Sequence, residues 1–108
     1  MPFATLASLP VKELFNGTIR GQYVHLEKLT FGEVTLQPGT VLPRHSHPHE
    51  QMTYLIEGEF EFTIGAETNV LRPGMVAIVP SGIEHGGRTL TTCRVIDLFS
   101  PVREDYRT

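Results

Sequence analysis

Glycine and proline interrupt this chain so often that it has no room for a long helix. From Gln22 onward, short apolar runs are closed by Gly or Pro about every 8 to 12 residues, the spacing of a sandwich or barrel of short strands. Tyr23 to Leu26 and Thr30 to Leu36 read as strands, the second ending at the Pro38-Gly39 turn. Val41 to His47 follows, closed by Pro48. Gln51 to Ile56 and Glu59 to Ile64 flank Glu57-Gly58, which reads as a hairpin turn. Phe60, Phe62 and Ile64 alternate with Glu59, Glu61 and Thr63, giving one buried face and one wet face. Asn69 to Arg72, Met75 to Val79, His85 to Leu90 and Cys93 to Phe99 complete the set. Leu9 to Phe15 admits a strand or a single turn. No window combines helical apolar spacing with matching caps. The expectation is one all-β domain over residues 1–108, a length that supports one small core but not two.

Within this frame one stretch carries chemistry. His45-Ser46-His47-Pro48-His49-Glu50-Gln51 holds three of the five histidines, at period 2, so an extended strand would set them on one face. A second segment, from Gly74 to Pro80-Ser81-Gly82-Ile83-Glu84-His85, answers it. Both open with Pro-Gly, continue as a strand and reach a His, a weak internal repeat that suits two similar β halves closing into one barrel. Imidazoles so placed suit a divalent transition metal, since their ring nitrogens otherwise need polar partners. The plainer alternative is a histidine-rich surface loop.

Composition removes several function classes. The net charge of −3 and the lack of a long basic run argue against a nucleic-acid partner. No run approaches the roughly 18 apolar residues of a membrane span. The first ten residues lack the charged and apolar regions of a secretory signal. Cys93 is the single cysteine, so no internal disulfide can form, which fits a reducing cytoplasmic setting.

The last strand bears on both site and assembly. Val95, Asp97 and Phe99 share one face of it, and Ile96 and Leu98 the other. If Asp97 faces inward, an apolar pair is left outside and needs cover. A two-fold homodimer supplies it most simply, and the chain's own N-terminal segment is the alternative.

Gly39, His45, His47, Gln51 and Gly58 reproduce the first cupin motif, G-x(5)-H-x-H-x(3,4)-E-x(6)-G, with Gln in place of Glu. Gly74, Pro80, Gly82 and His85 meet the second, G-x(5)-P-x-G-x(2)-H-x(3)-N, with Thr89 where Asn stands. The chain therefore resembles the cupins. The resemblance implies a double-stranded β-helix, a jelly-roll barrel, holding one divalent ion (Ni, Zn, Mn or Fe) on His45, His47, Gln51 and His85. A neutral amide in place of the carboxylate leaves the ion's charge available to an anionic ligand.

A narrower resemblance lies in HSHPHEQMTYLIEGEFEF and VIDLFSPVREDY, which look like the KdgF-type small cupins of pectin degradation. That group acts on unsaturated uronates released by polysaccharide lyases, and an Asp, a Phe and an Arg near the C-terminus serve its pocket. Asp97, Phe99 and Arg103 match these in type and spacing. The resemblance implies a small anionic sugar as substrate, Asp97 moving a proton, Phe99 walling the pocket and Arg103 holding the carboxylate end-on. For Asp97 the alternative is a carboxylate bonded to a turn or ion-paired with Arg94, for Phe99 ordinary core packing, and for Arg103 a solvated tail residue. An O2-dependent cupin dioxygenase and a non-catalytic sugar- or metabolite-binding cupin are the rival functions on the same fold.

Overall fold

The computed structural model describes residues 2–107. Its strands are β1 (Lys12–Leu14), β2 (Ile19–His25), β3 (Thr30–Leu36), β4 (Val41–His45), β5 (Glu50–Glu57), β6 (Phe60–Ile64), β7 (Glu67–Leu71), β8 (Val76–Val79), β9 (His85–Thr89) and β10 (Cys93–Ser100). They form a six-stranded sheet, ordered β1-β2-β3-β10-β5-β8, and a four-stranded sheet, ordered β4-β9-β6-β7. Every pairing is antiparallel. The architecture is the jelly-roll that the resemblance to the cupins implies, built from the short strands that the punctuation of the chain implies. Among the described residues, helix is confined to two single 3-10 turns, Leu6–Ser8 and Glu104–Tyr106.

Alternation along each strand builds the core. Val34, Leu36, Leu55, Phe60, Phe62 and Val95 are all buried between the sheets. Gly58 turns the β5–β6 hairpin at φ +102°, and a side chain there would collide with the Thr92 carbonyl. Only glycine satisfies both demands.

One sequence expectation is corrected here, and one that was open is decided. The strand read as Val41 to His47 ends at His45, so the three histidines do not share one strand face. The chain bends between β4 and β5, and His47 and His49 lie in that bend. The ambiguous stretch from Leu9 to Phe15 contains strand β1, which pairs with β2 at the edge of the larger sheet.

The register of the larger sheet sets out the site in rows across its inner face. One row runs Tyr23, Gly32, Asp97, Thr53 and Ala77 over β2, β3, β10, β5 and β8. The next runs His25, Thr30, Phe99, Gln51 and Val79. Just inward of them the row is Gly21, Val34, Val95 and Leu55, which is apolar core. Within these rows the polar side chains thus gather toward one end of the barrel.

Candidate metal centre and anion pocket

Both sheets contribute to one cluster of imidazoles. His45 ends β4 and pairs in register with His85, which begins β9, so the smaller sheet places them side by side. Their ring centroids lie 4.3 Å apart, and His47 approaches His85 to 4.7 Å from the bend. One ligand nitrogen from each of His45, His47 and His85 falls within 4.8 Å of the other two. Gln51, from the larger sheet, brings its Oε1 to 3.0 Å from His47 Nε2.

Whether these residues suit a cation can be judged from their hydrogen bonds. His45 Nδ1 faces the Pro43 carbonyl at 2.8 Å, His47 Nδ1 the His49 carbonyl at 3.0 Å, and His85 Nδ1 the Ile83 carbonyl at 2.9 Å. A carbonyl only accepts, so each Nδ1 carries the proton and each Nε2 presents a lone pair. His85 Nε2 is buried with no hydrogen-bond partner. His47 Nε2 and Gln51 Oε1 then face each other as two acceptors, an arrangement that a nearby cation would relieve. Desolvation holds the pKa of both His47 and His85 below the ordinary histidine value, favouring the neutral form that a metal needs. Three imidazoles and an amide oxygen fit a borderline divalent ion such as Zn, Ni, Fe or Mn. His49 lies edge-on to His47, outside the converging group.

His45 and His85 line a cavity of about 370 Å³ that also reaches Gln51, Thr53, Asp97, Arg103, Asp105 and Tyr106. Its floor is the apolar core. Asp97 points into this space, as the parity of β10 requires. Its Oδ1 accepts a 2.6 Å hydrogen bond from Thr53 Oγ1, which in turn accepts from Gln51 Nε2 at 2.9 Å. Burial raises the Asp97 pKa from 3.8 to about 6, against the opposing pull of the Thr53 hydrogen bond and the Arg103 charge. The alternative pairing with Arg94 does not occur, because Arg94 lies on the outer face against Glu33 and Glu57.

Arg103 is no solvated tail residue, since its side chain is only 12% exposed. Its backbone N–H donates to the buried Thr30 hydroxyl at 2.9 Å, which ties the C-terminal segment over the pocket. Its guanidinium lies 4.7 Å from the Phe99 ring centre and 4.1 Å from that of Tyr106. Phe99 is buried beneath it, so the expected pocket wall is also a cation platform.

Sequence reasoning missed Thr53, Tyr23, Asp105 and Tyr106. Thr53 shares strand parity with Gln51, a signal that was present. Tyr23 folds its ring over Gly21 and Gly32, where any side chain would collide with it. Burial pushes its phenol well above the usual range, so it stays protonated and can only donate or accept as a hydroxyl.

Fold and cluster together define a barrel whose three converging histidines could hold a metal ion, and comparison with known proteins agrees on the fold. Residues 32–99 match the family described as the cupin domain, and the chain belongs to that family. It is similar to the structure of KdgF from a Halomonas species, at 30% identity and TM-score 0.88 over 97% of each chain. A similar likeness links it to an RmlC-like cupin from Shewanella frigidimarina, 29% identical with TM-score 0.89 over 98% of this chain and 96% of that one. An uncharacterised protein of Streptomyces coelicolor is 27% identical over 74% of this chain and 77% of its own length. None of the helices is long and apolar enough to cross a membrane among the described residues.

Proposed function

We propose that this cupin opens the ring of 4,5-unsaturated uronates and yields linear keto acids. The observation that carries the reading is Asp97, a buried carboxylate hydrogen-bonded to Thr53, in one cavity with His45, His85 and Arg103. The likeness to KdgF and the matched Asp97, Phe99 and Arg103 support it. The cavity sits at the small end of the roughly 300–1,000 Å³ range of ligand sites, room for one sugar ring rather than a chain.

The substrate is a cyclic enol ether with a hemiacetal carbon at one end and a carboxylate at the other. Asp97 takes the proton of the anomeric hydroxyl, the bond from the anomeric carbon to the ring oxygen breaks, and the electron pair passes to that oxygen as an enolate. Asp97 then returns the proton to C4, so the product is an isomer and no oxidant is needed. A pKa near 6 suits both halves of this cycle, leaving Asp97 ionised at pH 7 yet basic enough to accept a proton. Thr53 donates to the ionised carboxylate and aims it, and Gln51 in turn orients Thr53. A divalent ion on the imidazoles and Gln51 would supply positive charge for the developing oxyanion. Arg103 binds the substrate carboxylate, and Tyr23 on β2 offers a hydroxyl to the same cavity.

The decisive assay follows the loss of unsaturated-uronate absorbance with metal-loaded protein, alongside oxygen uptake. Asp97→Asn keeps the shape and the Thr53 hydrogen bond but removes the base, so turnover should fall by roughly 10²- to 10⁴-fold. Near-parental turnover in that variant, or none in the parent, would leave the binding-cupin reading. Oxygen consumption coupled to substrate loss would instead identify a dioxygenase.

A further inference from the structure

The 3-10 turn that closes the chain, Glu104–Tyr106, does more than lie over the pocket. Asp105 presents both carboxylate oxygens to one edge of Arg103, with Nε donating to Oδ1 at 3.0 Å and Nη2 to Oδ2 at 2.8 Å. A guanidinium has two such forked edges, the side-on edge of Nε and Nη2 and the end-on edge of Nη1 and Nη2. Asp105 occupies the first. Among the described residues no hydrogen bond reaches Nη1. The plane of the group is held by Phe99 and Tyr106, and the chain at its base by Thr30.

The Asp105 side chain is 58% exposed and the Arg103 side chain 12%, and both residues line the cavity. Asp105 thus takes one edge of the guanidinium at the cavity wall and, among the described residues, leaves the Nη1 edge without a hydrogen bond. The charge of Arg103 acts on Asp97, His47 and His85. A long side chain that must order itself on binding sacrifices rotamer entropy, whereas this one is ordered beforehand.

We propose that Asp105 is a positioning residue that pre-sets Arg103 as an end-on receptor for one planar carboxylate, and so sets the preference of the site for uronates over neutral sugars. The proposal rests on the uronate reading of the pocket and names the residues that make it selective. Asp105 acts on the substrate carboxylate through Arg103. Tyr106 and Phe99 fix the tilt of the receptor, and Asp105 fixes its rotation. Neutralising Asp105 frees the side chain to swing and also opens a second edge, so a carboxylate is held more weakly and in more than one pose.

The test uses unreactive ligands, so it is independent of turnover. Zinc-loaded full-length protein is titrated with galacturonate and with its uncharged methyl ester, and binding is followed by amide chemical shifts. The parent should prefer galacturonate at least tenfold. Asp105→Asn and Asp105→Ala should each cut that preference about tenfold through weaker galacturonate binding, with the ester unchanged. Arg103→Ala should abolish the preference, and adding Asp105→Ala to it should cost nothing more, because the two residues act as one unit. Asp105→Glu should restore part of the loss. With unsaturated uronate, Asp105→Asn should raise KM while kcat stays within a few-fold of the parent.

Equal or undetectable binding of both ligands by the parent overturns the proposal, as does full preference in both Asp105 variants. So does an equal loss of both ligands, which marks a merely structural tail. If the parent prefers galacturonate through Asp105 but opens no unsaturated ring, the receptor stands and the enzymatic reading falls. If turnover is normal and the preference ignores Asp105, the reverse holds.

Discussion

Asp97 is destabilising by the same property that makes it useful. Its folded pKa of about 6 lies above the ordinary 3.8, so between those values the folded state binds more protons than the unfolded one. Stability contributed by this group therefore falls as pH rises through that window, by roughly 3 kcal/mol in all for a two-unit shift. Asp97→Asn should make chelator-treated protein more resistant to urea at pH 8, and the difference should vanish below about pH 4. A variant less stable than the parent at pH 8 contradicts the burial account. Gln51 offers a complementary test. Gln51→Glu adds a charge to the ligand set, so it should tighten zinc binding in a competition assay while slowing ring opening. Zinc affinity no better than the parent's would refute the argument from the neutral amide.

At the scale of strands, register explains why the site has this composition. Tyr23 and Asp97 belong to one row across three strands because Gly32 stands between them without a side chain. Gly32→Ala would drive a methyl group into the Tyr23 ring, which must then swing toward the cavity. Overpacking of this kind costs roughly 1–3 kcal/mol, to be read from urea unfolding, and the displaced ring should also obstruct substrate. An unchanged midpoint would show that the ring has somewhere else to go. The strands themselves were legible from the chain, because alternation and Gly-Pro turns report local geometry directly. The inward direction of Asp97 was legible for the same reason. His47 was misplaced within its strand, since periodicity does not reveal where Pro48 forces the backbone to bend. Thr53 carried a readable parity signal. Asp105 and Tyr106 did not, because a short polar tail has no period, and what it covers depends on the Thr30 anchor 73 residues away in sequence.

For the molecule as a whole, the outer face of the larger sheet remains to be explained. Met52, Tyr54, Val76 and Ile78 are between 40% and 66% exposed there, beside the half-buried Ile96 and Leu98. The N-terminal segment does not cover them. Strand β1 extends the opposite edge, and Gln22 on β2 holds the Leu9 carbonyl. A contiguous apolar face of this kind is what a two-fold partner would bury. Sedimentation at micromolar concentration should show a homodimer, and Ile78→Asp with Tyr54→Asp should return it to a 12.1 kDa species. A parent that sediments as monomer rules out this assembly.

The ligand set has a mechanical corollary. His45 and His85 ride on one sheet and Gln51 on the other, so the gap between the sheets is also the aperture of the candidate metal site. That gap is set by the girth of Leu55, Phe60, Phe62 and Val95. The hydrophobic filling thus acts as the spacer of a calliper. A methylene lost deep in the core would reset the jaws at the rim, and evolution could tune the grip on the ion without touching a residue that meets it.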